Sequence, residues 1–593
     1  MGNTRRRWTT LIVGIGWLIG LVGIAQSIGA RPQDRNDHST DLARIADAYL
    51  EGVLAQQPFW IYFGLAHIAP NPDHAAFPDT SPEAWAALES LEDDLSAKLD
   101  DIDPGAFASR ADWVTYRVLK ERLEANRELR VCRQHLWSLN HIEGWQAIIA
   151  TVAAAQPVDT AHARAAAIAW WSKLSGFIDR DIENLREGLR LGYSAPKSVV
   201  RRVMAQVDGL IAAPGGKSPL MAFAVKAEGE EAFRQETREL YETDVLPALK
   251  KFRLFLQDEY LNAAREEIAI SVLPRGRDCY EAKLRFYQTI TVGADVTYAR
   301  GMEAVAANRA GIVSRGEALF GESNIAAILE AVNARADNRF QAESEVLDYS
   351  RRLMPTLRDR IAPFFHHLPE QDVTVRPYPD HLRGTGLPSR YRAVPDKTRP
   401  AIYLINLDGW ETQTQGGSEV VAAHEGWPGH HLQIGLSYDI EGLHPVTLLV
   451  RSEAFAEGWA RYAEALAEEA GVYESGMGEI MRRAWPARGM VLDPGVHIFG
   501  WTDEKAVDFI KEAALVDDAR AFAMLDRIAV LPGQLTAYDT GGLEIFALRR
   551  VAEDHLGDRF DIRDFHQRVL ENGALPLAAL RDHIEAWLDD AED

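Results

Sequence analysis

From Thr40 to the C-terminus, apolar residues recur at intervals of three and four along nearly the whole chain. That spacing places one apolar stripe on each segment at the helical period and restricts the chain to packed helices. The runs DLARIADAYLEGVLAQQ (41–57), SPEAWAALESLEDDLSAKL (81–99) and RADWVTYRVLK (110–120) all carry it. Ser81-Pro82-Glu83 and Asp103-Pro104 read as helix starts, since proline tolerates the first helical position and a short polar side chain caps it. TAHARAAAIAWWSKLSGFIDRDIENLREGLRLG (160–192) reads as one long helix ending near Gly192, and a Tyr-Ser-Ala-Pro break separates it from KSVVRRVMAQVDGLI. A second long amphipathic run follows, GEEAFRQETRELYETDVLPALKKFRLFLQDEYL. Strand-like sequence is confined to DVTVRPYPDHLR and AIYLINL, rich in β-branched and aromatic residues and bounded by Pro, Gly and Asp. The expected fold is therefore mainly α, with a strand pair leading into residues 420–436. An exposed sheet edge there would suit an extended peptide.

The length, 593 residues, exceeds what one hydrophobic core usually fills, so more than one subdomain is expected. A formal net charge of −24 argues against nucleic acid as a partner. Three arginines, Arg5–Arg7, precede a stretch from Trp8 to Ala30 with no charge, and Ala25, Ser27 and Ala30 offer small residues for cleavage. Residues 1–30 thus read as a signal peptide or an uncleaved membrane anchor, with the paired arginines also allowing twin-arginine export. The expected location is periplasmic or extracellular. Cys132 and Cys279 are the only cysteines, and we expect them to be small buried residues, because a large helical core needs no disulfide.

The segment VVAAHEGWPGHHLQIGL (420–436) carries the chemistry. A zinc hydrolase commonly places two histidines one helical turn apart, with a glutamate beside the first to reach the metal-bound water. Here the residue four after His424 is Pro428, and the next histidines are His430 and His431. In an unbroken helix His431 would share a face with His424 but lie about 10 Å along the axis. Ligands at about 2.0–2.1 Å from one zinc cannot be so far apart. Pro428-Gly429 supplies a kink that brings one of His430 and His431 back to His424. The third ligand is expected from LLVRSEAFAEGWARYAEALAEEAG (448–471), which offers Glu453, Glu457 and Glu464. Glu464 reads as a solvated helix residue. Glu457 stands out because Gly458 permits close helix approach and Trp459 suits a buried face.

HEGWPGHHLQ, AFAEGWARYAE, DPGVHIFGWT and LPGQLTAYDTGGLEIFALRR, with NLREGLRLGYSAPKSVVRRV and YLINLD, resemble the bacterial domain of unknown function 885 family from about Asp41 to the end. That family in turn resembles the helical Glu-zincin metallopeptidases of the neurolysin and thermostable-carboxypeptidase types. The resemblance implies two helical halves around a deep channel with a small sheet beside the metal helix, and residues 31–593 as one hydrolase body with its metal region at about 400–550. It implies zinc held by His424, by His430 or His431, and by Glu457, with Glu425 as the base. His497 and Tyr538 become candidates for oxyanion stabilisation and Asn406 for a substrate backbone contact. The implied activity is peptidase-like, on short peptides or small amides; hydrolysis of a non-peptide amide or ester, and an exported binding protein without catalysis, are the alternatives. One departure is Arg461, where an apolar residue is expected; it touches no proposed ligand.

Overall fold

The computed structural model describes residues 37–63, 73–107, 109–212, 218–378, 388–394, 396–450, 452–473, 475–514 and 518–591. The proposed export segment, residues 1–30, lies outside them, as do residues 379–383 of the first strand-like run. Among the described residues no helix is long and apolar enough to cross a membrane. The chain divides into two compact units.

The smaller unit comprises Glu51–Leu91 and Arg133–Glu267. The expected single helix over 160–192 is two, Ala161–Trp171 and Leu174–Arg190. The break falls at Ser172 and Lys173, directly after Trp170 and Trp171, which are both buried at the end of the first helix. The run from Glu231 to Ala263 stays helical but includes two π-helical segments, Tyr241–Val245 and Leu256–Tyr260. Each shifts the register by one residue, which keeps Tyr241, Leu249, Phe252, Leu256 and Tyr260 buried together.

The larger unit contains Glu92–Cys132 and Ile268–Asp593. Cys132 and Cys279, expected to be separate, are joined in a disulfide. The sheet has three strands rather than two. They are β1 (Val373–Pro377), β2 (Arg390–Arg392) and β3 (Ala401–Ile405), in the order β1-β3-β2. β1 runs parallel to β3 with Val375 opposite Tyr403, and β2 runs antiparallel with Tyr391 opposite the same Tyr403. Every residue of β3 is buried, as expected of a central strand covered on both faces.

Six helices that bear on the site follow the sheet in sequence: α1 (Gln415–Glu425), α2 (His430–Ser437), α3 (Glu453–Glu469), α4 (Arg488–His497), α5 (Asp518–Val530) and α6 (Thr536–Leu556). Thr414 caps α1 by accepting from the Gly417 amide, and Ser452 caps α3 by accepting from the Phe455 amide. Helix α3 is buried on almost every side from Ala454 to Ala467. It packs on α6 through glycines, since a Cβ on Gly458 would lie 2.5 Å from the Gly541 Cα. The expectation that Gly458 permits close approach and that Trp459 is buried holds in this packing.

Candidate metal centre

The expected kink is a complete break. Helix α1 ends at Glu425, Gly426 and Gly429 take ψ values of −120° and −128°, and α2 begins at His430. The Gly429 amide turns back to donate to the Ala423 carbonyl at 3.0 Å. A Cβ at this position would lie 1.9 Å from the His424 carbonyl oxygen, so only glycine fits. The Trp459 indole N–H donates to the Pro428 carbonyl at 2.9 Å and fixes the break against α3. This turn, not helical periodicity, returns the next imidazole to the first.

His430 is the residue returned. Its ring centroid is 4.9 Å from that of His424, with the planes nearly perpendicular. Glu457 completes the group: its Oε2 is 3.5 Å from His424 Nε2 and its Oε1 is 3.6 Å from His430 Nε2. One ligand atom from each of the three lies within 4.8 Å of the others. His431, also a candidate, points away. Its Nδ1 meets the Tyr391 hydroxyl at 3.3 Å and its ring packs edge-on to Trp427 at 4.4 Å. Burial pushes the His431 imidazole down to about 4, so it is neutral.

These residues fit a divalent cation. Two imidazoles and a carboxylate are a donor set that zinc accepts. The Glu457 carboxylate is buried, stands beyond ordinary hydrogen-bond length from both rings, and its Oε2 has no hydrogen-bond partner. Donor separations of about 3.3 Å are expected around one tetrahedral ion with bonds of about 2.0–2.1 Å, close to the 3.5 and 3.6 Å found here.

A second layer holds the first. His424 Nδ1 and Glu464 Oε1 are 2.8 Å apart, and Arg461 donates to that same oxygen at 2.7 Å. Glu464, expected in solvent, is 2 % exposed. Arg461, expected to touch no proposed ligand, stands one hydrogen bond from a ligand's partner. The signal for both was present: Glu464 is seven residues after Glu457, hence on the same helical face, in a helix too apolar all round to be a surface helix. Burial opposes charge on His424, but the carboxylates of Glu457 and Glu464 outweigh it and push the imidazole up to about 10. Burial likewise opposes charge on Glu457, yet the neighbouring His430 and His424 hold it down at about 2.

Glu425 is buried beside the cluster, and its Oε2 accepts the Tyr391 amide of β2 at 2.6 Å. Burial raises its pKa against the pull of His424, His430 and that amide. No side-chain pattern marks Tyr391 for this role, because a backbone N–H does the work. Tyr538, on α6, is brought to the edge of the cluster. Burial and then the Glu457 charge raise its hydroxyl pKa, and Arg527 of α5 lies 3.5 Å from that hydroxyl. His497 is not brought there. Its Nδ1 accepts from the Ile270 amide at 3.2 Å and its Nε2 donates to the Ile528 carbonyl at 3.1 Å. Both nitrogens of this fully buried ring thus tie backbone segments together, which corrects its expected role at an oxyanion. Asn406 uses its carboxamide oxygen to cap a local turn at the Asp408 amide, 2.7 Å away, and Glu453 accepts from Gln534 at 3.3 Å instead of joining the cluster.

The family model for bacterial protein of unknown function (DUF885) matches residues 61–584. The chain belongs to the DUF885 family. No curated protein matches it. Two crystal structures share the family chain's fold. A candidate lipoprotein from Colwellia psychrerythraea superposes with a TM-score of 0.83 at 21% identity, covering 93% of this chain and 99% of that one. A candidate lipoprotein of unknown function from Shewanella oneidensis gives 0.75 at 17% identity, covering 91% and 99%.

Proposed function

We propose that the chain is an exported metal-dependent hydrolase of amide or ester bonds, with zinc as its metal and short peptides as the first substrate class to test. The observation that carries the proposal is the convergence of His424, His430 and Glu457 with a fourth buried group, Glu425, held beside them by the Tyr391 amide. His424, His430 and Glu457 hold the ion. When bound, zinc supplies Lewis acidity and lowers the pKa of a coordinated water towards about 7. Glu425 accepts the proton of the attacking water and delivers it to the leaving group, for which its raised pKa suits it. Tyr538 donates its hydroxyl proton to the developing oxyanion, with Arg527 orienting it. Tyr391 fixes Glu425 through its amide and is itself fixed by His431 through its hydroxyl.

The resemblance to neurolysin-type and thermostable-carboxypeptidase-type enzymes, with a deep channel that selects short substrates, belongs to this proposal. So does export. The charge-free segment 8–30 supports it, as does the Cys132–Cys279 disulfide, a bond that persists in oxidising compartments. The two structural relatives, both candidate lipoproteins, point the same way.

The test is elemental analysis of the purified chain, followed by turnover on peptides with free and blocked termini and on non-peptide amides and esters. We expect one zinc per chain and chelator-sensitive cleavage. Glu425→Gln should keep the metal and lose about 10²–10⁴-fold in turnover. Full activity in that variant removes Glu425 as the base. Stoichiometric zinc without turnover on any substrate would assign the site to binding alone.

A further inference from the structure

The small sheet carries, beside the metal cluster, a face whose charge is opposite to that of the chain. In β2 the side chains of Arg390 and Arg392 lie on the face away from Tyr391, because successive strand residues alternate. Arg390 is in register with Leu404 of β3, and Arg376 of β1 is in register with the same Leu404 on its other side. Arg392 lies one row along, opposite Ile402. Three guanidinium groups therefore share one face, above two buried aliphatic side chains. Burial lowers the Arg392 pKa first, and the charges of Arg390, Arg376 and Arg399 lower it further.

Several arginines elsewhere are answered by acids, as Arg186 is by Glu259 at 2.6 Å and Arg549 by Glu469 at 2.9 Å. Among the described residues no carboxylate stands in ion-pair contact with Arg376, Arg390 or Arg392. The Arg390 Nε is buried without a hydrogen-bond partner, and its guanidinium lies 5.8 Å from the Tyr378 ring centroid. Asp396 feels the charge of the neighbouring Arg399. In a chain of net charge −24, such a concentration of cations is costly to fold and finds no acidic partner among the described residues. It begins one residue to either side of the amide that holds Glu425.

We propose that Arg376, Arg390 and Arg392 form a recognition surface for an acidic short peptide, giving the site a preference for Asp and Glu side chains next to the bond it cleaves. Same-face residues of a strand are about 6.6 Å apart, which is also the spacing of alternate side chains on an extended peptide, so two carboxylates of one ligand can meet Arg390 and Arg392 together. The proposal rests on the hydrolase reading for its position beside a reacting bond, whereas recognition itself is a binding property.

The experiment uses zinc-loaded Glu425→Gln protein and measures binding of two blocked hexapeptides, one alternating Glu with Ala and the other Gln with Ala. The Glu peptide should bind about 5- to 30-fold more tightly at low salt, and the difference should shrink at about 0.5 M salt. Arg390→Gln/Arg392→Gln should abolish the preference, and Arg390→Lys/Arg392→Lys, which keeps charge and bulk, should retain most of it. Should the glutamine pair fail to fold, Arg376→Gln reads the same preference from the other side of Leu404 and should reduce it. Equal affinity for the two peptides, or a preference unchanged in the glutamine variants, overturns the proposal, as does binding to phosphatidylserine vesicles with no discrimination between peptides. Because this host lacks the proposed base, the result is independent of turnover; failure of the hydrolase reading would appear in the substrate panel instead.

Discussion

Replacing Glu464 by Gln should weaken zinc binding without touching any ligand, and should do so in a pH-dependent way. Glu464 Oε1 lies 2.8 Å from His424 Nδ1 and also accepts from Arg461 at 2.7 Å. A carboxylate behind a ligating imidazole fixes the ring and makes its far nitrogen a better donor, and loss of such a partner costs about 10–100-fold in metal affinity. Because Arg461 shares the same oxygen and offsets part of its charge, we expect the lower end, about 10-fold or 1.4 kcal/mol. The same carboxylate also stabilises a proton on His424, whose pKa is pushed up to about 10. At neutral pH zinc must displace that proton, and the glutamine variant, with a less basic imidazole, gives it up more easily. The affinity gap should therefore be small at about pH 7 and widen towards its full value as pH rises through about 10. Competition with a chromophoric chelator at several pH values measures this directly. Arg461→Gln provides the opposite sign, since it frees Glu464 from its counter-charge and should leave zinc affinity unchanged or raised. A gap that stays constant or narrows with pH would refute the coupling through His424. Equal losses in both variants, with equally lowered melting of the metal-free proteins, would show that the pair serves packing alone.

Gly429→Ala should lose the metal site, because its Cβ would meet the His424 carbonyl oxygen at 1.9 Å; we expect zinc affinity to fall and metal-free melting to drop by about 1–3 kcal/mol equivalent, and unchanged zinc content would count against the backbone turn. Asp493 is buried, accepts from the Tyr280 hydroxyl at 2.7 Å and the Gly533 amide at 2.8 Å, and burial pushes it up to about 7. Its raised folded pKa means that stability falls as pH rises from about 4 to about 7, so melting curves of Asp493→Asn should be flatter than those of the native protein across that window. Joint replacement of Cys132 and Cys279 by Ser should lower stability by about 2–5 kcal/mol, since the disulfide spans 147 residues; denaturant titration with an unchanged midpoint would show that it contributes nothing.

How much of this was legible depended on how local each determinant is. Helices such as Pro82–Asp100 and Arg110–Leu129 follow from apolar spacing within the segment. The break before His430 was announced by Pro428-Gly429, but the choice of His430 over His431 depends on the backbone angles at Gly426 and Gly429, which no residue type encodes alone. Strand β2 has three residues, two of them arginines, and acquires its identity only by pairing with β3. The disulfide and the His424–Glu464 contact join positions far apart in the chain, where one sequence carries no pairing information. Glu464 was misread because charged helix residues usually face water, whereas α3 is enclosed and its acid is answered by Arg461.

The proposed roles are supported by one side-chain type being driven in two directions within one site. Glu457 and Glu425 are both buried, and burial alone would raise both. Glu457 faces two imidazole nitrogens at 3.5 and 3.6 Å, and their charge holds its carboxyl at about 2. Its ionised form is favoured, which suits the proposed ligand role. Glu425 accepts the Tyr391 amide, and burial prevails over the charges of His424 and His430 and over that bond, so its affinity for a proton increases. Carboxylates pushed apart in this way divide into a fixed charge and a proton carrier. Exchanging the roles would require Glu425 to gain a cationic partner and Glu457 to lose two. The fold prevents this, since Glu425 ends α1 against β2 while Glu457 projects from α3 between the two rings returned by the Gly429 turn.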